Sequence, residues 1–212
     1  MKKMLVACLT VLCFANVANA LTMLTFEGLK DLEPIHNYYD GGFGGNGSGP
    51  GPDYRVNFSD NALAIIRNTA GGSGNFDNEP SPATILFFSS GASATMNYTP
   101  GFQTGFSFYY SSINYPANIN VYDGLNGTGN ILASLQLPVT PSNPAGVYSP
   151  FVPIGVNFTG TALSVDFGGS ANQVGFDNVT FGSSNPNSVP EPSTFFLLGV
   201  GFGGLAVLRR RK

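Results

Sequence analysis

The sequence predicts an all-β protein whose strands form an antiparallel β-sandwich. Short runs of alternating apolar and polar residues recur along the middle of the chain, and clusters of Gly, Pro, Asn, Ser and Asp separate them. Alternation at every second residue is typical of a half-buried strand, and the separating residues are those that tight turns require. No window of about eleven residues in this part keeps the 3.6-residue apolar period of a helix.

The predicted strands are short and closely spaced. We expect them at residues 21–26, 55–58, 63–66, 84–88, 94–98, 106–110, 117–121, 131–137, 152–156, 163–167 and 174–181. The alternation is clearest where smaller or polar residues separate Phe106, Phe108 and Tyr110. Short strands at this spacing, joined by turns, are typical of a sandwich with a jelly-roll-like arrangement.

The last predicted strand contains an irregularity. Val174 and Phe176 would lie on one of its faces, whereas Val179 and Phe181 would share a face of the opposite parity. One extra residue between the two pairs accounts for this slip, so we expect a β-bulge at 177–178. A bulge there would direct a carboxylate away from the ladder of backbone hydrogen bonds.

The first twenty residues have the plan of a secretory signal peptide. Lys2 and Lys3 precede an apolar core at 4–15, and an Ala-x-Ala exit site at 18–20 follows. These parts in this order predict export and cleavage before Leu21. Both cysteines of the chain lie inside this segment, so the exported protein would have no disulfide, no thiol nucleophile and no thiolate metal site.

Residues 189–212 have the composition of a membrane-anchoring tail. Its three parts are Pro190, Glu191 and Pro192, an uncharged run at 193–208, and the cations Arg209, Arg210, Arg211 and Lys212. In lipid the uncharged run must form a helix to satisfy its backbone, and the cations stay on the cytoplasmic side. That helix would span about 24 Å, less than the hydrocarbon thickness of about 30 Å. The tail therefore predicts a short, temporary transmembrane helix, with an ordinary single-pass anchor as the alternative.

The order of these three parts closely resembles the PEP-CTERM sorting signal of Gram-negative bacteria. The resemblance implies that a membrane protease of the exosortase type processes the chain near 190–192. It also implies a transient stay in the inner membrane, then delivery to the cell surface or the extracellular matrix in connection with exopolysaccharide and biofilm. We therefore expect a signal peptide at 1–20, a sandwich domain at 21–188 and the sorting signal at 189–212.

The middle of the chain is acidic and poor in charge. Residues 21–189 contain three basic and eleven acidic side chains, a formal charge of −8. Nucleic-acid backbones are bound by clustered Lys and Arg, so this composition argues against nucleic acid as a partner. Two glycine-rich segments, 41–52 and 71–75, lack the Lys-Ser/Thr ending of a phosphate-binding loop, and we expect them to be flexible surface loops.

Two acidic residues indicate a metal site. Glu27 follows the first predicted strand, and Asp177 lies in the last. Exported jelly-roll modules that resemble carbohydrate-binding domains often hold a structural Ca²⁺ between these two strands, and carboxylate oxygens suit that ion. The alternative is that Asp177 only accepts hydrogen bonds from local backbone donors in the bulge.

The sequence does not indicate an enzyme. His36 is the single histidine, and no nucleophile-elbow motif accompanies it, so we interpret it as a loop residue. We expect a non-enzymatic surface or biofilm-matrix protein. A secreted carbohydrate-binding module that stacks sugars on exposed rings is the alternative, and a secreted hydrolase is a third hypothesis. The rings considered for this role are Tyr38, Tyr39, Tyr54, Tyr109 and Tyr115.

Overall fold

Twelve β-strands form two antiparallel sheets in the computed structural model, which describes residues 22–143 and 145–186. The strands are β1 (Met23–Leu24), β2 (Glu33–Pro34), β3 (Val56–Phe58), β4 (Ala62–Ile66), β5 (Thr84–Phe88), β6 (Ser93–Phe102), β7 (Gly105–Ser111), β8 (Ala117–Tyr122), β9 (Ile131–Leu137), β10 (Val152–Asn157), β11 (Ala162–Gly168) and β12 (Gly175–Phe181). A 3₁₀ turn, Asn68–Ala70, lies between β4 and β5. The predicted all-β antiparallel sandwich is confirmed, whereas its jelly-roll-like arrangement stays a prediction.

The strands of the two sheets are interleaved along the chain. The first sheet has the order β10-β7-β12-β5-β4-β2, and β1 also pairs with β12. The second sheet has the order β3-β6-β11-β8-β9. Every connection from β5 to β8 therefore crosses from one sheet to the other.

Most strands begin and end within two residues of the prediction. The exception is β6, which continues to Phe102, whereas β1 is shorter than predicted by two residues at each end. The sequence did not predict β2, because a strand of two residues is too short to show alternation. Pro34 is tolerated there because β2 is an edge strand. A proline has no N–H, and at an edge this loses no hydrogen bond to a further strand.

Phenylalanine rings fill the space between the sheets. Phe108 of β7, Phe167 of β11 and Phe176 of β12 are fully buried. Phe167 and Phe176 have centroids 5.0 Å apart, and Phe108 and Phe176 have centroids 5.7 Å apart, both near edge-to-face geometry. Because β11 belongs to the second sheet and β12 to the first, the contact between Phe167 and Phe176 joins the sheets, whereas Phe108 and Phe176 are neighbours within the first sheet. Phe108 also contacts Phe167 across the sheets, with centroids 6.1 Å apart. Burying each ring stabilises the fold by about 2–3 kcal/mol.

One buried carboxylate holds the glycine-rich loop 41–52. Glu33 in β2 is 0% exposed. It accepts hydrogen bonds from the main-chain N–H groups of Lys30, Asn46 and Ser48, at 2.7, 2.8 and 3.0 Å, and from the Ser48 hydroxyl. The segment is a loop, as predicted, and these bonds tie it to β2, whereas its flexibility stays a prediction.

Candidate functional site

The last strand changes partner partway along its length. One edge of β12 pairs with β7, whereas the other pairs with β5 at Phe176 and with β1 at Val179 and Thr180. The register against β7 shifts between Asp177 and Thr180, and Asn178 has a left-handed φ of 49°. The predicted bulge is confirmed at this position.

Four side chains meet where the partner changes, and we call Glu27, Ser81, Thr84 and Asp177 the strand junction. Asp177 is fully buried and accepts hydrogen bonds from the Ser81 N–H at 3.0 Å and the Ser81 hydroxyl at 2.8 Å. Glu27 accepts from the Thr84 N–H at 2.9 Å and from the Thr84 hydroxyl at 3.2 Å. Glu27 follows β1, Ser81 lies just before β5 and Thr84 begins that strand, so the junction ties the ends of β1 and β5 to β12.

Both acids of the strand junction are harder to ionise than usual. Burial raises the pKa of Asp177 to about 7, against the opposing effect of the hydrogen bonds from Ser81 and Asn178, and the charge of Glu27 adds to the rise. Burial also raises the pKa of Glu27, and the charge of Glu79 adds to that rise. The Glu27 charge acts on Asp177, so a proton or a cation near the two carboxylates would relieve their repulsion.

The Ser81 hydroxyl gives a geometric reason for a proton on Asp177. Its oxygen lies 2.8 Å from both carboxylate oxygens of Asp177 and 3.2 Å from the Thr25 carbonyl oxygen. A hydroxyl has one hydrogen and cannot donate to all three acceptors. If Asp177 is protonated, it can donate to Ser81, whose own hydrogen is then free for Thr25.

Calcium at the strand junction stays a prediction. Glu27, Asp177 and the Thr25 carbonyl are hard oxygen donors of the kind that Ca²⁺ prefers. The two carboxylates already accept bonds from Ser81, Thr84 and the Asn178 N–H, in line with the alternative of local donors. The described part of the chain contains no group of three or more His, Cys, Asp or Glu side chains that could hold a metal ion. Ca²⁺ takes about six to eight oxygens, so main-chain, hydroxyl and water oxygens would have to complete the set.

A separate cavity of about 120 Å³ opens on the outer face of the first sheet. Ile85 and Phe87 of β5 line it, whereas Leu86 and Phe88 of the same strand point into the main core. Its lining includes Ile65, Phe76, Ile85, Phe87, Tyr148 and Asn172. The alternation of β5 therefore supplies both the inner core and the floor of this cavity.

Two loops form one wall of the cavity. Phe76 and Tyr148 pair as an isolated parallel bridge. The Tyr148 N–H donates to the Asn75 carbonyl at 3.1 Å, and the Asp77 N–H donates to the Tyr148 carbonyl at 3.2 Å. These main-chain bonds hold both rings in place against the sheet.

Polar groups from three loops surround the Tyr148 hydroxyl. It donates to Gln173 Oε1 at 2.7 Å, and Asn114 Nδ2 donates to the same oxygen at 3.0 Å. Burial raises the pKa of Tyr148, the bond from Asn114 opposes the rise, and the charge of Tyr115 adds to it. Sequence patterns do not indicate this arrangement, because Asn114, Tyr148 and Gln173 lie in loops that are far apart along the chain.

The structure supports some of the predicted sugar-stacking rings and overturns others. Tyr54 and Tyr115 are 40% and 53% exposed, as expected. Tyr38 and Tyr39 are buried, so their prediction as exposed rings is wrong. The Tyr39 hydroxyl accepts a bond from the Phe26 N–H at 2.6 Å, which shows that the ring belongs to the core. Tyr109 is half-buried and packs against a small second apolar cluster.

His36 lies at the surface and pairs with an acid. Its Nε2 is 3.3 Å from Asp60 Oδ1, and the Asp60 side chain is fully exposed. His36 has a φ of 45°, the left-handed geometry of a turn. This agrees with the interpretation of His36 as a loop residue.

The predicted targeting segments fall outside the described residues. This applies to the signal peptide at 1–20, to the sorting residues Pro190, Glu191, Pro192, Arg209, Arg210 and Arg211, and to the helix expected at 193–208. Within 22–143 and 145–186, we find no helix with the length and apolar character needed to cross a membrane.

Three solved structures resemble the fold at low sequence identity. The K1 cleaved adhesin domain of Lys-gingipain from Porphyromonas gingivalis W83 is 11% identical, with a TM-score of 0.37 over 60% of this chain and 98% of that one. CBM35 from Paenibacillus barcinonensis is 13% identical, with a TM-score of 0.35 over 61% and 94%. TmCBM61, solved with β-1,4-galactotriose, is 12% identical, with a TM-score of 0.36 over 59% and 86%. No curated protein matches the chain.

A family model identifies the tail. It describes the PEP-CTERM protein-sorting motif and matches residues 188–212, which include the Pro-Glu-Pro triplet, the uncharged run and the cations. The resemblance drawn from these three parts is thereby confirmed. The chain is a protein that carries a PEP-CTERM sorting signal at residues 188–212.

Proposed function

We propose that this chain is an exported, non-enzymatic protein of the cell surface or extracellular matrix, with its β-sandwich as the delivered part. The observation that carries the proposal is the sorting motif at 188–212. Such a signal implies export, recognition by exosortase, which is a membrane protein, and transient anchoring in the membrane. A link to exopolysaccharide and biofilm is part of the same proposal.

The composition and packing of the sandwich support the proposal of an exported protein with a structural rather than a catalytic role. Residues 21–189 contain no cysteine and only three basic side chains. The core is held by apolar packing, as in the ring contacts of Phe108, Phe167 and Phe176. The buried acids Glu33 and Asp177 are both occupied by hydrogen bonds from neighbouring loops and strands, which is a structural role.

A variant of the sorting triplet tests the proposal. Replacing Pro190, Glu191 and Pro192 with alanine should leave the protein in the inner-membrane fraction and reduce the amount at the surface and in the medium. Pro186→Ala is the matched control, because this proline lies just before the matched residues. Equal release of both variants would contradict sorting through this triplet.

Carbohydrate binding is the second candidate function. The observation that favours it is the aromatic cavity with amide groups at its rim, on a sandwich with few charges. Apolar and aromatic pockets with a few convergent polar groups are the usual form of small-ligand sites. Retention of the exported protein on immobilised neutral polysaccharide tests this function.

A further inference from the structure

We propose that the cavity beside Tyr148 binds a single ring of a neutral carbohydrate, with the aromatic walls contacting its C–H face and the rim amides contacting its hydroxyl groups. The inference rests on the second proposed function, carbohydrate binding, and assigns that binding to this cavity. It differs from stacking on Tyr38, Tyr39 or Tyr54, none of which lines the cavity.

The cavity is formed before any ligand arrives. Its floor is part of a paired sheet, since Ile65 of β4 lies directly opposite Ile85 of β5. Its wall is fixed by the main-chain bonds around Tyr148 and by the bond from Asn75 Nδ2 to the Gly146 carbonyl at 3.2 Å. A preformed site loses little conformational entropy when a ligand binds.

A glycine keeps the floor open. Gly175 begins β12 and lines the cavity. A Cβ at this position would lie 2.5 Å from Ile85 Cδ1 and 3.6 Å from the Phe151 ring. Glycine inside a strand weakens the strand and often marks a place where a ligand comes close to the backbone. Any larger residue here would force Ile85 to move.

The rim has hydrogen-bonding capacity left over. Gln173 Oε1 accepts bonds from Tyr148 and Asn114, which fixes the orientation of both amides. In the hydrogen bonds between described side chains, Gln173 uses its oxygen and Asn114 uses its NH₂ group, and both residues lie beside the lining residue Tyr148. One donor group and one acceptor group, held next to an aromatic wall, match adjacent hydroxyls on a sugar ring.

The size and charge of the site indicate the class of ligand. The cavity of about 120 Å³ is smaller than one of about 150 Å³ that holds benzene, so it can receive one face of a single sugar ring at its opening but not a longer stretch of a chain. None of its lining residues is charged. A neutral sugar unit therefore fits better than a phosphate, a uronic acid or a basic peptide. An apolar peptide side chain would fill the floor but would form no hydrogen bond with the rim amides.

Calorimetric titration of the purified exported protein tests the assignment. The probes are neutral tetrasaccharides of β-linked glucose, galactose or xylose, an oligogalacturonate as the charged counterpart, and benzyl alcohol as the apolar one. We expect a neutral sugar to bind, and Tyr148→Ala and Gly175→Ala to weaken that binding about tenfold or more. Tyr54→Ala, an exposed ring outside the cavity, should leave it unchanged.

The possible outcomes distinguish failure of the cavity assignment from failure of carbohydrate binding as a function. If wild-type protein binds a sugar and the Tyr148 and Gly175 variants bind it equally well, the cavity assignment fails while carbohydrate binding stands. If wild-type protein binds none of the sugars, both fail, and binding of benzyl alcohol alone would overturn the ligand class. Gln173→Ala at the rim keeps the test valid if Gly175→Ala does not fold, since it should weaken sugar binding without filling the floor.

Discussion

Glu33 and Asp177 are both fully buried carboxylates, yet their pKa values are shifted in opposite directions. Burial raises the pKa of Glu33, but bonds from Ser48, Lys30 and Asn46 outweigh it and bring that pKa below its usual value. Burial raises the pKa of Asp177 to about 7, and its hydrogen bonds do not compensate. Burial alone therefore does not decide whether such an acid is charged.

The pKa values of the two acids differ because their hydrogen-bond donors and their charged neighbours differ. Glu33 accepts three main-chain N–H groups and a hydroxyl, all from segments next to it. Asp177 accepts two N–H groups and one hydroxyl, whose hydrogen is also within reach of the Thr25 carbonyl, and it feels the charge of Glu27. It follows that Glu33 anchors its loop as an anion, whereas Asp177 is the place where a proton or a cation is favoured.

Removing the Glu33 carboxylate should have the largest effect. Glu33→Ala leaves buried N–H donors of the 41–52 loop without an acceptor, which costs about 1–3 kcal/mol for each donor that water cannot reach. We expect a loss of about 3 kcal/mol or more in the free energy of unfolding, measured by urea denaturation. Asp40→Ala, at an exposed acid of the same region, should cost less than about 0.5 kcal/mol. Equal midpoints for the two variants would contradict the anchoring role.

The pH dependence of stability should separate the two acids. The folded state holds the Asp177 proton more tightly than the unfolded state, so the stability tied to Asp177 is complete below the ordinary aspartate value of 3.8 and is lost as pH rises through the folded-state pKa of about 7. Glu33 acts in the opposite sense, because its lowered pKa adds stability that is lost as pH falls. Unfolding measured from pH 3 to 8 should show a decline in the free energy of unfolding between about pH 4 and 7, and Asp177→Asn should reduce that decline. An unchanged slope in this variant would contradict a proton on Asp177.

Ser81→Ala should have a smaller effect on stability and tests whether the Ser81 hydroxyl controls the pKa of Asp177. The variant removes the hydroxyl between Asp177 and Thr25 but keeps the Ser81 N–H bond. We expect a loss of about 1–2 kcal/mol in thermal unfolding and a further rise in the Asp177 pKa, because one donor to the carboxylate is gone. Ser89→Ala, at an exposed serine that follows β5, is the control. A pKa of Asp177 that does not change would show that the hydroxyl is not its donor.

Adding Ca²⁺ should give the smallest change in the free energy of unfolding. The result decides whether a proton or a cation neutralises the strand junction. If Ca²⁺ binds Glu27 and Asp177, millimolar Ca²⁺ should raise the free energy of unfolding by about 1 kcal/mol relative to chelator at pH 7.5. Asp177→Asn should abolish that rise, and Glu33→Gln should leave it intact. Equal melting temperatures with Ca²⁺ and with chelator would exclude the ion from the strand junction.

The strands and the bulge could be predicted because both follow from alternation. The opposite parity of Phe176 and Val179 locates the bulge. Glu27 could be placed near the last strand because it follows β1, which pairs with β12. Burial of Glu33 could not be predicted, because its Asn46 and Ser48 donors come from a loop 13 and 15 residues away and leave no periodic signal.

The positions of the aromatic rings at the candidate sites could not be predicted, because they depend on loop geometry that the alternation of apolar residues does not describe. Tyr38 and Tyr39 lie in a turn, where adjacent residues need not point in opposite directions, and their rings meet at 5.2 Å in the core. Tyr148 and Gln173 come from different loops and meet only in the folded chain. Sequence patterns therefore identified the scaffold and the sorting signal but not the cavity.

Intact-mass measurement of the native protein, recovered separately from membranes and from the medium, tests the central claim of sorted export most directly. We expect a released form that begins at Leu21 and ends near Glu191, without the cations at 209–212. A protein with residues 1–20 and 209–212 still present in every fraction would contradict sorted export.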